Sequence, residues 1–278
     1  MKYLLYISIL CLLGCTAAPK TYHAKTQTVI SKAQNEGFIL KRYSTNTFLL
    51  SAFEKTPNKV NTIHLYIEGD GNSWKTRYKI SDNPTPLQPL AFKLAMQDRH
   101  DGVVYLARPC QYTPLALDKN CNNKYWTSHR YAPEVVASIS ETMDHIKNTK
   151  KNTNYVLIGF SGGASVAALV AAQRNDVIGL ITVAGDLNHE LLNQHHKTSP
   201  LTGSLNPSYF ANKIKNIPQH HYSGEKDKIV PSWLSHRFAM DVNNPACVQV
   251  TTLKGVEHHK GWEKEWPNIS KASLTCRS

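Results

Sequence analysis

The sequence predicts an α/β domain with a mostly parallel central sheet covered by helices on both faces. Three observations carry that expectation. Short apolar runs alternate with helix-length amphipathic segments from about residue 62 to the end, an order that calls for crossover connections and a sheet buried on both sides. One stretch, Asn154 to Leu169, reads in sequence order as buried strand, sharp turn and alanine-rich helix. At 278 residues, with 41% hydrophobic and 19% charged positions, one large core is sustainable and a second domain is not required.

Taken in order, Phe38 to Arg42 and Thr47 to Phe53 are β-prone runs separated by Tyr43-Ser44-Thr45-Asn46, the pattern of an antiparallel hairpin at a sheet edge. Thr62 to Ile67 is a stronger strand, ending in Glu68-Gly69-Asp70-Gly71-Asn72. Pro84 to Gln97 carries Leu87, Leu90, Ala91, Leu94 and Ala95 at helical spacing, and Val103 to Leu106 is the next buried strand. Pro133 opens a helix at its first turn, whose stripe of Val135, Ile139, Met143 and Ile146 reads as core. After the 154–169 unit come a strand from Val177 to Ala184 and a polar region from Gly185 to Gln219. A strand at His220 to Ser223, a helix near Trp233 to Met240, a strand from Cys247 to Leu253 and a helix from about Trp262 complete the chain.

Gly159-Phe160-Ser161-Gly162-Gly163 falls on the strand-to-helix turn. A serine there is held with its hydroxyl pushed out of the sheet, and the flanking glycines avoid collisions that a Cβ would cause. The competing reading is a tight structural turn. Serine is a weak nucleophile unless a base lies within hydrogen-bond reach and a third group orients that base. Downstream strand ends supply both types: Asp227 in Gly224-Glu225-Lys226-Asp227-Lys228-Ile229-Val230-Pro231, and His258 or its neighbour His259 in Gly255-Val256-Glu257-His258-His259. His258 is the preferred base, and Asp186, after the preceding strand, is an alternative acid. His189-Glu190-Leu191-Leu192-Asn193 nearly spells a zinc-protease motif, but Asn193 stands where the second imidazole is needed, so no metal site is expected.

The order Ser161, Asp227, His258, with Gly-x-x-Asp-x-x-Val-Pro and Gly-x-x-His in the right strand context, resembles the α/β-hydrolase superfamily over residues 38 to 278. The resemblance implies the α/β-hydrolase fold, no cofactor, nucleophilic attack by Ser161 on an acyl carbon, His258 moving the proton and Asp227 holding the imidazole. It also implies an oxyanion hole from the backbone N–H of Gly162 and of Asp70 or Gly71. Glu68 and Asp70 then bring carboxylates close to a site that must accept negative charge, so both side chains have to point away or be paired, with Arg108 and Arg130 as candidate partners. The implied function is a serine hydrolase of esterase or lipase type acting on a small-molecule or lipid ester, with Tyr209 or Phe210 as candidates to line the acyl pocket. The alternatives are a non-catalytic adaptor or binding protein on the same fold, or a peptidase or acyltransferase using the same residues.

The first residues carry a separate message. Lys2 and the apolar run Tyr3 to Leu13 form a short secretory-type segment, closing in Leu12-Leu13-Gly14-Cys15, which resembles a bacterial lipobox. The expected organisation is a lipoprotein signal peptide over 1–14, a lipidated Cys15 with a polar tether over 15–36, and the hydrolase domain over 37–278. The expected location is the cell envelope, lipid-anchored at an outer membrane and facing the periplasm. Export places Cys110, Cys121, Cys247 and Cys276 in an oxidising compartment, where the local pairings Cys110 with Cys121 and Cys247 with Cys276 are favoured over the other two connectivities. Net charge is +12, and the first 80 residues hold 11 Lys and Arg against 4 Asp and Glu, which suits an anionic membrane surface. No stacking-aromatic or finger motif accompanies the charge, so nucleic acid is not an expected partner.

Overall fold

The structure is a computed structural model that describes residues 22–150 and 153–277. Helix α1 (Tyr22–Asn35) leads into β1 (Ile39–Ser44) and β2 (Leu49–Lys55), followed by β3 (Thr62–Ile67) and a small hairpin of β4 (Trp74–Thr76) and β5 (Lys79–Ile80). Then come α2 (Leu90–Gln97), β6 (Val103–Leu106), α3 (Pro133–Asn148), β7 (Asn154–Phe160), α4 (Gly162–Ala171), β8 (Val177–Val183) and α5 (His189–His196). The chain closes with β9 (Gln219–Gly224), α6 (Trp233–Val242), β10 (Val248–Leu253) and α7 (Trp262–Ile269).

The main sheet has the order β1-β2-β6-β3-β7-β8-β9-β10. Strands β6, β3, β7, β8, β9 and β10 run parallel, while β1 and β2 form the expected antiparallel edge hairpin. Side-chain alternation divides the core between the two faces. Leu65, Ile67, Val104, Leu106 and Leu157 pack with residues of α3, α4 and α6, whereas Tyr66, Val103, Tyr105, Val156 and Ile158 pack with residues of α2 and α7. The fold is the mostly parallel α/β arrangement that the alternation predicts.

Topology then fixes where a ligand can sit. From β3 the chain crosses to β6 on one side, and from β7 it crosses to β8 on the other. The loops after these two adjacent strands therefore diverge, opening a crevice at their carboxyl ends. Glu68 to Asn72 and Ser161 lie on those two loops.

Two sequence expectations change here. The polar tether expected over 15–36 is a helix over Tyr22–Asn35, which lies against the β1 side with Ala33 fully buried and Val29 and Ile30 packed on the Phe38 and Phe92 cluster. Three apolar contacts supplied by tertiary packing order a segment with weak periodicity of its own. The helix expected from Pro84 begins only at Leu90, because Pro84, Pro86 and Pro89 hold the preceding chain extended. Leu87 consequently belongs to a loop. Both expected disulfides, Cys110–Cys121 and Cys247–Cys276, are present. The signal peptide and Cys15 lie outside the described residues, and among the described residues no helix is long and apolar enough to cross a membrane.

Candidate active site

Ser161 sits between β7 and α4 at φ 52 and ψ −122, a left-handed backbone that costs a non-glycine residue about 1–3 kcal/mol. Its neighbours hold it there. The Ser161 amide donates to Val183 O at 3.0 Å, and Ser161 O accepts from Ala164 N and Asp186 N at 3.0 and 3.1 Å. A Cβ on Gly159 would lie 2.5 Å from Ala164 Cα, and one on Gly163 would overlap the Ile67 carbonyl oxygen. The helix can start this close to the sheet only because both side chains are absent.

The groups that the sequence scatters over nearly a hundred residues meet at this turn. His258 Nε2 lies 3.1 Å from Ser161 Oγ, and His258 Nδ1 lies 2.7 Å from Asp227 Oδ2. Asp227 is itself fixed, since its Oδ1 accepts the amides of Ile229 and Val230, both at 2.8 Å. The histidine loop is pinned by Trp262, whose Nε1 donates to the carbonyls of Glu257 and His258 at 2.8 and 3.1 Å. Asp227, His258 and Trp262 are buried, so the orienting bonds act where water competes least.

Of the two adjacent imidazoles, His258 is therefore the one within reach of the hydroxyl. His259 lines the same cleft with its ring 5.4 Å from Phe160, and burial followed by the neighbouring His258 pushes its pKa down to about 4. Asp186, the alternative acid, accepts instead from Tyr131 Oη at 2.9 Å. Burial, then the charge of Asp70, raises its pKa to about 7.

The loop after β3 forms the opposite wall. The Gly69 amide is taken by Glu68 Oε1 at 3.0 Å, whereas the amides of Asp70 and Gly71 have no hydrogen-bond partner among the described residues. Gly162 N–H belongs to the first turn of α4, where no carbonyl a turn earlier in the helix can take it. Donors of this kind are what a tetrahedral oxyanion needs.

The nearby carboxylates are managed separately. Asp70 pairs with Arg130 and stands 3.5 Å from Arg108 Nη1, the two partners that the sequence offers. Glu68 is buried among the Gly69 and Ala91 amides and Tyr105 Oη, and burial overcomes those hydrogen bonds to raise its pKa to about 7. One negative charge is thus neutralised by arginines and the other is weakened by desolvation.

The cleft over Ser161 has a volume of ≈ 330 Å³, walled by the 68–72 loop, Pro86, Leu87, Phe160, Ile229 and the two histidines. Leu87 and Ile229 were not legible as site residues, because their role comes from loop placement rather than from any motif. Tyr209 and Phe210 do not line this cleft: Tyr209 is 71% exposed and bonded to Glu190, while Phe210 packs against the core. Among the described residues no group of His, Cys, Asp or Glu is arranged to hold a metal ion.

A strained serine on a strand-to-helix turn, a buried imidazole on its hydroxyl and a carboxylate on the far ring nitrogen define a serine hydrolase of the α/β-hydrolase type. The chain belongs to the serine hydrolase family FSH1, whose profile matches residues 6–260. No curated protein matches it in sequence. Among solved structures it is similar to Est1E from Butyrivibrio proteoclasticus (TM-score 0.60, 16% identity, 84% of this chain and 96% of that one). It is also similar to the esterase Pf2001 of Pyrococcus furiosus (TM-score 0.59, 14% identity, 86% and 93%). An alpha-beta serine hydrolase homologue from Coxiella burnetii aligns with TM-score 0.54 and 14% identity over 84% and 94%. At these identities the likeness is one of fold.

Proposed function

We propose that the protein is a carboxylic ester hydrolase that works through an acyl-enzyme on Ser161 and is held at the cell envelope through a lipid on Cys15. The observation that carries the catalytic reading is the continuous line from Asp227 Oδ2 through His258 to Ser161 Oγ, at 2.7 and 3.1 Å. As Oγ attacks the acyl carbon, its proton passes to His258 Nε2. Asp227 accepts from Nδ1–H, selects that tautomer and stabilises the imidazolium. The amide of Gly162 with that of Asp70 or Gly71 takes the oxyanion, each donor being worth about 3–4 kcal/mol in the transition state. His258 then returns the proton to the leaving alcohol, and water repeats the cycle on the acyl-enzyme. Est1E is known with ferulic acid bound, which supports a small carboxylic ester as the substrate class.

Fluorophosphonate labelling of the purified protein tests the reading, with labelling expected for the wild type and none for Ser161→Ala. A natively folded wild type that neither labels nor turns over p-nitrophenyl esters at neutral pH would return the protein to the adaptor class. For the anchor, Cys15→Ala is expected to abolish palmitate incorporation and release the protein from the membrane fraction. Residues 1–14 then act as the signal peptide, and the helix Tyr22–Asn35 belongs with the hydrolase domain.

A further inference from the structure

A second, larger cleft of ≈ 880 Å³ opens on the far side of the Asp70 loop. The β4–β5 hairpin, residues 127–130 and the turn after α5 bound it. Its charge is one-sided. Arg77, Arg130 and Lys197 line it, and no Asp or Glu does. Arg77 and Lys197 are exposed, and no carboxylate pairs with either among the described residues. Arg130 gives Nε to the Thr127 carbonyl at 2.8 Å and Nη1 to Asp70, which leaves Nη2 without a partner.

A further donor is built into the wall. Thr198 Oγ1 donates to Asn193 Oδ1 at 3.0 Å, which fixes the two ends of that amide, and Asn193 Nδ2 is left buried with no acceptor. A buried donor without a partner is costly, although this one has no surface open to the cleft. Trp74 and Tyr78, 43% and 85% exposed, form an apolar rim. Exposed, unpaired cations and aromatic surface around a concave volume are the recognition chemistry of a small organic anion.

One ion pair links this cleft to the one over the nucleophile. Arg130 is bonded to Asp70, which lines the Ser161 cleft. Trp74 is four residues beyond Asp70, so the chain between them spans at most about 14 Å. We propose that this cleft is the subsite for an anionic group on the substrate, so that the ester cleaved at Ser161 carries a carboxylate or phosphate on its non-reacting arm. The proposal rests on the ester-hydrolase reading and adds the charge of the substrate to it. Binding of the remote anion is then available to position the reacting carbonyl.

The test is kinetic and uses two matched pairs, because the arm lies on either the acyl or the alcohol side. Mono-p-nitrophenyl glutarate is compared with p-nitrophenyl butyrate, and 4-acetoxybenzoate with phenyl acetate, in wild type and in the double variant Arg77→Gln/Lys197→Gln. Both positions are exposed, so the fold is expected to survive their neutralisation. In one pair the anionic-to-neutral ratio of kcat/KM is expected to fall about tenfold in the variant, through KM, and to shrink in the wild type as NaCl rises. Turnover of neutral esters with an unchanged ratio in both pairs overturns the subsite and leaves the hydrolase standing. Absence of turnover for all four esters removes both. A charge preference seen only on phosphatidylglycerol over phosphatidylcholine vesicles, and never with the monomeric esters, overturns the subsite in favour of a lipid-surface effect.

Discussion

Two histidine–aspartate pairs of the same dimensions stand at opposite ends of one sheet. At the carboxyl edge, His258 Nδ1 lies 2.7 Å from Asp227 Oδ2, and at the amino edge His64 Nδ1 lies 2.7 Å from Asp98 Oδ2. What separates them is the surroundings. His258 turns its other nitrogen to Ser161, on a turn whose backbone forces the hydroxyl outward. The His64 ring instead stacks on His100 at 3.9 Å, and Asp98 is shared with Tyr66 Oη at 2.6 Å. Burial alone would raise the pKa of Asp98, but the hydrogen bonds and charge of His64, with Tyr66 and the His100 amide, hold it below the usual carboxylate range. A carboxylate partner thus satisfies an imidazole shielded from water at either edge, and the pair becomes chemistry only where the fold presents a nucleophile to it.

Substitution at matched positions breaks or sharpens that contrast. His258→Gln is expected to lower kcat by about 10⁴-fold or more, as loss of a general base does in other serine hydrolases. His64→Gln is expected to stay within about threefold, by p-nitrophenyl butyrate assay. Equal losses at the two sites would mean that the amino-edge pair also serves the reaction.

The aspartates come next. Asp227→Asn should cost about 10³- to 10⁴-fold in kcat by admitting the wrong imidazole tautomer. Asp98→Asn should leave kcat nearly unchanged and lower stability by about 1–3 kcal/mol, read by urea unfolding at pH 7. Because the folded pKa of Asp98 is depressed, its contribution is complete above the unfolded value near 3.9 and is lost as pH falls through the lower folded one. The Asn variant should therefore show a shallower decline of Tm in that acid window than the wild type.

Glu68 sharpens the comparison with the smallest expected effect and the opposite sign. Its pKa is raised from 4.5 to about 7, so the stability linked to its neutral form is complete below 4.5 and is lost as pH rises through about 7. Glu68→Gln is expected to match the wild type near pH 4 and to exceed it in Tm by a few degrees at pH 8. A parallel pair of Tm profiles would mean that Glu68 stays ionised in the fold.

The same contrast explains what the sequence reveals. Gly159-Phe160-Ser161-Gly162-Gly163 is legible because every residue answers a local steric demand, and Asp227 and His258 are legible because each follows a strand in a recognisable turn. His64 and Asp98 carry no such mark. Their meeting depends on the parallel register that sets His64 opposite Val103, which brings the turn after α2 under β3. Helix α1 is not legible for a related reason, since its ordering comes from three contacts with a surface that the linear chain does not display. Leu87 went the other way: its helical spacing is real, but the prolines around it place it at the mouth of the cleft.

Helix α1 also bears on the proposed anchor. If the proposed lipid sits on Cys15, it stands seven residues before the first docked residue of Tyr22–Asn35, at most about 25 Å of chain, where a docked domain beginning only at residue 37 would allow about 75 Å. Under the proposed anchoring, an enzyme on the shorter line would reach a shell no deeper than a small protein, and would meet only what is made at, or drifts against, the bilayer holding it.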